Sequence, residues 1–206
     1  LKGWADPAVL AAHEAERWPI TEQVSKYAMG TALSLARARA GVPADIEAVG
    51  ERGDAVRVAL GSRLLEMHTP QFCCGGLNFG SFYDRSPIVA YDGEPAPTYT
   101  MDTFTPSTVP GCRTPHVWME DGRSLYDALG LDFTLLRFDR SIDVAGLVEA
   151  AALRGVPLAV LDLAAQAPYR QKLVLSRPDQ HVAWRGDLLP SDALSLIDRI
   201  RGAPVA

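Results

Sequence analysis

Two apolar runs, Phe133–Phe138 and Leu158–Leu163, stand on either side of one amphipathic stretch, and this spacing constrains the fold more than any other feature of the chain. Between them Val144, Leu147, Val148, Ala151 and Ala152 recur at helical intervals, which predicts a helix opened by Ser141 or Asp143 and stopped at Gly155-Val156-Pro157. A strand, a helix and a second strand in one sheet imply parallel pairing through a right-handed crossover. The second run is almost wholly apolar, which predicts a strand buried on both faces. Downstream, Lys172–Ser176 and His181–Arg185 flank Pro178-Asp179-Gln180, a connection short enough to require an antiparallel hairpin. A last helix places Ala193, Leu196, Ile197 and Ile200 on one face and ends at Gly202 before Pro204.

The resulting order, β-α-β-β-β-α, is the minimal thioredoxin-like arrangement, so the fold class is α/β. A redox-active version needs two cysteines where the first strand meets the helix, because the helix N-terminus lowers the thiolate pKa. That place reads Asp139-Arg140-Ser141-Ile142-Asp143, without a thiol. The domain is therefore expected to be redox-inactive and to serve packing or interaction.

The N-terminal third is helical in pattern. Asp6-Pro7 is a helix start, with an acceptor for free N–H groups and a φ preset at the first position. Pro19 is expected to end or kink that helix, and Val24, Tyr27, Ala28, Thr31 and Leu35 continue a second stretch at spacings of three and four. Ala44–Leu65 predicts further helix with an interruption near Gly50–Asp54. From Thr69 to Thr108 proline and glycine increase, with short strands expected at Gly76–Tyr83 and Ile88–Tyr91. Phe72, Phe79, Phe82, Tyr83 and Phe104 are too many aromatics for a free linker, so this is expected to be an ordered connector. The domain boundaries expected are 1–66 for the helical segment, 67–108 for the connector and 109–206 for the terminal domain.

Charge and composition exclude several functions. The net charge is -5 and 22% of residues are charged, with no basic stripe for a phosphate backbone, so nucleic acid is not an expected partner. No apolar run approaches the ~20 residues of a membrane helix, and the protein is expected to be cytoplasmic and not membrane-bound. Cys73, Cys74 and Cys112 fit neither a disulfide framework nor a C-x-x-C site. They are expected to be reduced packing residues, and a metal site with His68 or His116 is disfavoured for want of spaced ligand pairs. Gly75-Gly76-Leu77-Asn78-Phe79-Gly80 has the wrong spacing for a dinucleotide loop, and a turn with a strand is expected there. Arg113 is expected to pair with Asp121 or Asp127, and His116 to satisfy a backbone group. His181 is expected at the surface, and Trp184 on the sheet with the Arg185 guanidinium at its rim.

Several blocks together resemble the C-terminal portion of FAD-dependent aromatic-ring monooxygenases, the flavoprotein hydroxylases of phenol and polyketide type. They are Gly3-Trp4-Ala5-Asp6-Pro7, His13-Glu14-Ala15-Glu16-Arg17-Trp18-Pro19, Ser86-Pro87-Ile88-Val89, Pro110-Gly111-Cys112-Arg113-Thr114-Pro115-His116-Val117-Trp118 and Arg177-Pro178-Asp179-Gln180-His181-Val182-Ala183-Trp184-Arg185. His13 stands where the family commonly has Tyr, and Gln180 where it commonly has Gly. The resemblance implies that residues 1–66 are a helical remnant of the FAD-binding domain, with the Val24, Tyr27, Ala28 and Leu35 face against the rest of it. It also implies a complete enzyme that uses NAD(P)H and FAD to hydroxylate a phenolic or polyketide-like ring. The family's three flavin-binding signatures are not found in these 206 residues, so the chain alone is expected neither to hold FAD nor to be active. No catalytic, cofactor-binding or metal-binding residue is assigned. The partners implied are the N-terminal FAD and substrate domain and, as a further option, a homo-oligomer. A freestanding thioredoxin-like interaction module without catalysis is the alternative reading.

Overall fold

A computed structural model of the protein describes residues 3–204. Its elements are α1 (Ala8–Ala40), a short 3-10 turn (Ala44–Glu47), α2 (Glu51–Phe72), a π-helical turn (Gly76–Gly80), α3 (Leu125–Ala128), β1 (Phe133–Arg137), α4 (Ala145–Leu153), β2 (Leu158–Asp162), β3 (Leu173–Ser176), β4 (Val182–Gly186) and α5 (Ala193–Ile200).

The four strands form one mixed sheet in the order β2-β1-β3-β4. β1 is parallel to β2 and antiparallel to β3, and β3–β4 is the expected hairpin. Strand alternation sends Phe133, Leu135, Leu173 and Leu175 to one face, where Leu147 of α4 and Leu196, Ile197 and Ile200 of α5 cover them. Leu136, Val174 and Val182 point the other way, onto Val117, Leu125, Leu129 and Tyr169. The terminal domain is thus a sheet between the α4–α5 layer on one face and Val117, α3 and Tyr169 on the other. Its helix starts follow from side-chain acceptors, since Asp143 Oδ1 takes the Ala145 N–H at 2.9 Å and Asp192 Oδ1 the Ser195 N–H at 2.9 Å. Gln180 sits at φ 62 in the hairpin turn, the left-handed region that explains why glycine would suit this position.

Several expectations fail, each for a local reason. α1 runs unbroken through Pro19; the missing donor costs one bond, and burial of Ala12 and Glu16 just before it holds the helix in place. In the second helical region the interruption falls at Ala48–Gly50, and α2 continues through Gly61 and Pro70 to Phe72. Neither connector strand forms. Gly76 lies so close to the Thr100 carbonyl that an added Cβ would stand 1.8 Å from its oxygen, and the Leu77 N–H donates to the Met101 carbonyl at 2.9 Å. The connector there folds back on itself and makes a π turn instead of a ladder. Ile88–Tyr91 is a turn that gives β4 one backbone bond, from the Ala90 N–H to the Ala183 carbonyl at 2.8 Å.

β2 also differs from its expected burial on both faces. It is an edge strand, with Ala159 and Val160 exposed and Leu161 only half-buried. An apolar sequence shows that a strand is coverable, not that this chain covers it. Core energetics therefore fall elsewhere: Leu135→Ala, at a fully buried position, should cost about 2–5 kcal/mol in urea denaturation, and Leu161→Ala clearly less. Equal losses would overturn this division of the sheet.

Candidate functional site

The charged residues that sequence order scatters are gathered at one corner, where α1, the connector and the hairpin meet. α1 supplies Glu16 and Arg17, the connector Tyr83 and Ser86, and the β3–β4 turn Arg177, Asp179 and His181. Arg177 grips Glu16 with two nitrogens, Nη1 to Oε1 at 2.5 Å and Nη2 to Oε2 at 2.9 Å. Both residues are buried, at 9% and 5% exposure, and together they span 161 positions of sequence. Ser86 Oγ donates to Glu16 Oε1, and Arg177 Nη2 also reaches Asp179 Oδ2 at 2.9 Å. A buried charge left without such partners would be strongly unfavourable.

Tyr83 lies between these ions. Its hydroxyl accepts from Arg17 Nη1 at 3.2 Å and donates to Asp179 Oδ2 at 3.2 Å. The Arg177 guanidinium sits 5.2 Å from its ring centroid, and the His181 ring stacks on it at 4.2 Å. Burial, reinforced by the Asp179 charge, pushes the Tyr83 hydroxyl up to about 12. Burial opposes ionisation of Asp179 too, but a hydrogen bond from His181 and the Arg177 charge outweigh it and hold the carboxyl well below its ordinary range. His181 is buried, in contrast to the expected surface position, because its ring is the lid on Tyr83 and its Nδ1 meets the Asp179 carbonyl at 3.0 Å.

A second ion cluster fixes the connector to β4. Arg185 is buried instead of lying at the sheet rim: Nε donates to Asp92 Oδ2 at 2.7 Å, Nη1 to Thr108 Oγ1 at 3.0 Å, and Nη2 to Glu94. Arg113 does not pair with Asp121 or Asp127. It donates to Gln180 Oε1 at 2.8 Å and Tyr126 Oη at 3.3 Å, with its guanidinium over the rings of Phe79 and Tyr126. His116 Nε2 meets Ser124 Oγ at 2.9 Å, a side chain and not a backbone group.

Where a thioredoxin-like redox centre would carry its thiols, Asp139 accepts from Ser141 Oγ at 2.6 Å and from Lys172 Nζ at 3.0 Å. The Ser141 hydrogen bond and then the lysine bring its carboxyl down to about 2. Cys112 is buried, and that burial raises its thiol to about 11, far from a reactive thiolate. Cys74 is buried while Cys73 is exposed, which departs from the expectation for the latter. Among the described residues no cluster of His, Cys, Asp or Glu could hold a metal ion.

The Gly75–Gly80 turn does not fit the pyrophosphate of FAD. It follows a helix instead of a strand, and Gly76 has its open side filled by the Thr100 and Thr103 carbonyls, where a pyrophosphate would need donors.

The family model "Aromatic-ring hydroxylase, C-terminal" matches residues 107–204. Those residues are an aromatic-ring hydroxylase C-terminal domain. The similarity extends beyond this domain: the FAD-dependent monooxygenase apdD of Emericella nidulans is 34% identical over 93% of the chain, and Phenol 2-monooxygenase of Pseudomonas sp. is 28% identical over 98% of it. The chain spans only 33% and 39% of those two proteins, at their C-terminal end. The rebeccamycin biosynthetic enzyme RebC, solved with reduced flavin, superposes with a TM-score of 0.85 at 36% identity, covering 98% of this chain and 38% of RebC. PieE, a flavin-dependent monooxygenase solved with FAD and substrate, gives a TM-score of 0.74 at 25% identity, covering 98% of this chain and 41% of PieE. The hydroxylase C-terminal domain thus carries Arg177, Asp179 and His181 in its hairpin, and α1, outside residues 107–204, supplies Glu16.

Breaking the buried pair should be costly: Glu16→Met leaves Arg177 short of its main partner and should lose about 3–5 kcal/mol in urea denaturation. Adding Arg177→Met should recover much of that loss. Additive losses in the double variant would show that the two residues act independently.

Asp179 gives a pH signature. Its folded-state pKa is depressed, so its stabilisation is present above the unfolded value of about 4 and is lost as pH falls through the lower folded value. Asp179→Asn should therefore flatten the acid limb of a stability-versus-pH curve; an unchanged limb would remove Asp179 from the acid response.

Proposed function

We propose that this chain is the C-terminal part of an NAD(P)H- and FAD-dependent monooxygenase that hydroxylates a phenolic or polyketide-like aromatic ring in the cytoplasm. The observation that carries this reading is similarity over nearly the whole chain, in sequence and in fold, to the C-terminal portions of flavin monooxygenases. Within the complete enzyme this part is structural. It contributes no catalytic, flavin-binding or metal-binding residue, and its ion clusters hold the connector and α1 against the terminal domain.

The proposed division keeps residues 1–66 with the flavin domain, 67–108 as connector and 109–206 as the thioredoxin-like domain. α2 continues to Phe72, so the helical unit extends a little past residue 66. Support for an N-terminal flavin domain as the partner comes from α1, where Val24 and Ala28 are exposed, Tyr27 and Leu35 half-buried, and Leu10 and Trp18 open to 77% and 68%. Apolar residues on several sides of one helix call for cover on more than one side. Among the described residues no helix is long and apolar enough to cross a membrane.

The test compares the 206-residue chain with a polypeptide extended upstream by about 350 residues, the size of the dinucleotide-binding and substrate layers. The longer protein should show flavin absorbance and oxidise NAD(P)H with hydroxylation of a phenolic ring. The shorter should be colourless and inactive. Flavin bound stoichiometrically to the 206-residue chain would overturn the assignment.

A further inference from the structure

The segment before α1, the first turn of α1 and the loop before β1 enclose an apolar cleft of about 600 Å3, whose lining includes Gly3, Trp4, Leu10, Leu131 and Pro178. Its leucines are open to solvent, Leu10 at 77% exposure and Leu131 at 87%. Leu10 belongs to α1, whereas Leu131 and Pro178 belong to the terminal domain, so the cleft straddles the two parts of the chain. Its carboxylates, Asp6 and Asp132, have partners in this chain, and Asp6 Oδ1 takes the Ala8 N–H at 2.9 Å. What the cleft offers an occupant is apolar contact.

The segment before α1 is fixed to the terminal domain. The Asp6 N–H donates to the Arg201 carbonyl at 2.8 Å, and Trp4 meets the Phe133 ring edge-on at 5.5 Å. Val9 lies so close to Gly202 that an added Cβ there would stand 2.9 Å from Val9 Cγ2. In apdD and Phenol 2-monooxygenase, of which this chain spans the C-terminal 33% and 39%, the remainder lies upstream of this segment. A chain advances at most about 3.6 Å per residue, so polypeptide directly upstream stays near the cleft. Attachment also gives it a local concentration of about millimolar, an advantage that an unattached molecule lacks.

We infer that the cleft seats an apolar stretch of the polypeptide upstream of this chain, which thereby touches α1 and the terminal domain at once. The inference rests on the proposed place of this chain at the C-terminal end of a longer protein. It extends the partner surface from α1 to Leu131 and Pro178, and it gives the two exposed leucines their cover.

Hydroxyl-radical footprinting read by mass spectrometry tests it, on the 206-residue chain and on the polypeptide extended upstream by about 350 residues. Leu10 and Leu131 should oxidise readily in the short chain. In the long one oxidation of both should fall severalfold, to the same extent at every protein concentration. Leu131→Glu, at a position 87% exposed, should leave the urea midpoint of the short chain unchanged and restore the reactivity of Leu10 in the long one. Flavin absorbance of the same samples reads the enzyme assignment separately. A flavin-bound long protein whose Leu10 and Leu131 react as in the short chain overturns the inference and leaves that assignment standing; protection without flavin does the reverse. Protection that appears only as concentration rises assigns the cleft to a second copy and overturns the inference, as does a Leu131→Glu long protein in which Leu10 stays fully protected.

Discussion

One buried ion pair joins the helical segment to the terminal domain. Arg177 and Glu16 come from opposite ends of the chain, and their contact fixes α1 against the β3–β4 turn. Neither charge could remain in that corner alone, because desolvation would outweigh any packing gain. Everything around the pair completes it: Ser86 supplies a hydroxyl, Asp179 a second carboxylate, and Tyr83 a ring under the guanidinium. The same residues locate the connector, since Tyr83 is also bonded through its N–H to the Gly111 carbonyl at 3.0 Å. This corner therefore sets the relation of the helical segment to the terminal domain.

The two parts of the chain rely on different physics. The terminal domain has a core of its own, with Leu135, Leu136, Leu147, Leu175 and Ile197 fully enclosed. α1 and α2 have none; their described buried residues are few, and α1 is attached mainly at its start. There the Asp6 N–H donates to the Arg201 carbonyl at 2.8 Å, and Trp4 meets Phe133 edge-on at 5.5 Å. This segment is held by polar clamps at one end and leaves apolar side chains such as Leu10, Trp18 and Val24 exposed.

The absence of a thiol at Asp139–Asp143 has a structural counterpart. The place is occupied by a low-pKa carboxylate tied to Ser141 and Lys172, a stable charged turn instead of a reactive one. Cys112, although within the most distinctive sequence block, is protonated by burial. The arginines of the two distinctive blocks serve as fasteners between segments: Arg113 to Gln180 and Tyr126, Arg177 to Glu16, Arg185 to Asp92 and Glu94.

Local pattern by itself determined β1, α4, the hairpin and α5, because their periodicity, caps and turn residues act within a few positions of sequence. It also pointed to the blocks containing Glu16 and Arg177, though not to their contact, since no local signal links residues 161 positions apart. Tertiary structure decided the rest. Burial of His181 and Arg185 depended on which carboxylates and rings the connector brought to them. The edge position of β2 depended on sheet order, which an apolar run cannot encode. The π turn at Gly76–Gly80 arose from a close approach to the Thr100 carbonyl, and the continuity of α1 through Pro19 from anchoring on its buried side. In each case the energy that fixed the outcome came from residues distant in sequence, whose proximity exists only in the folded chain.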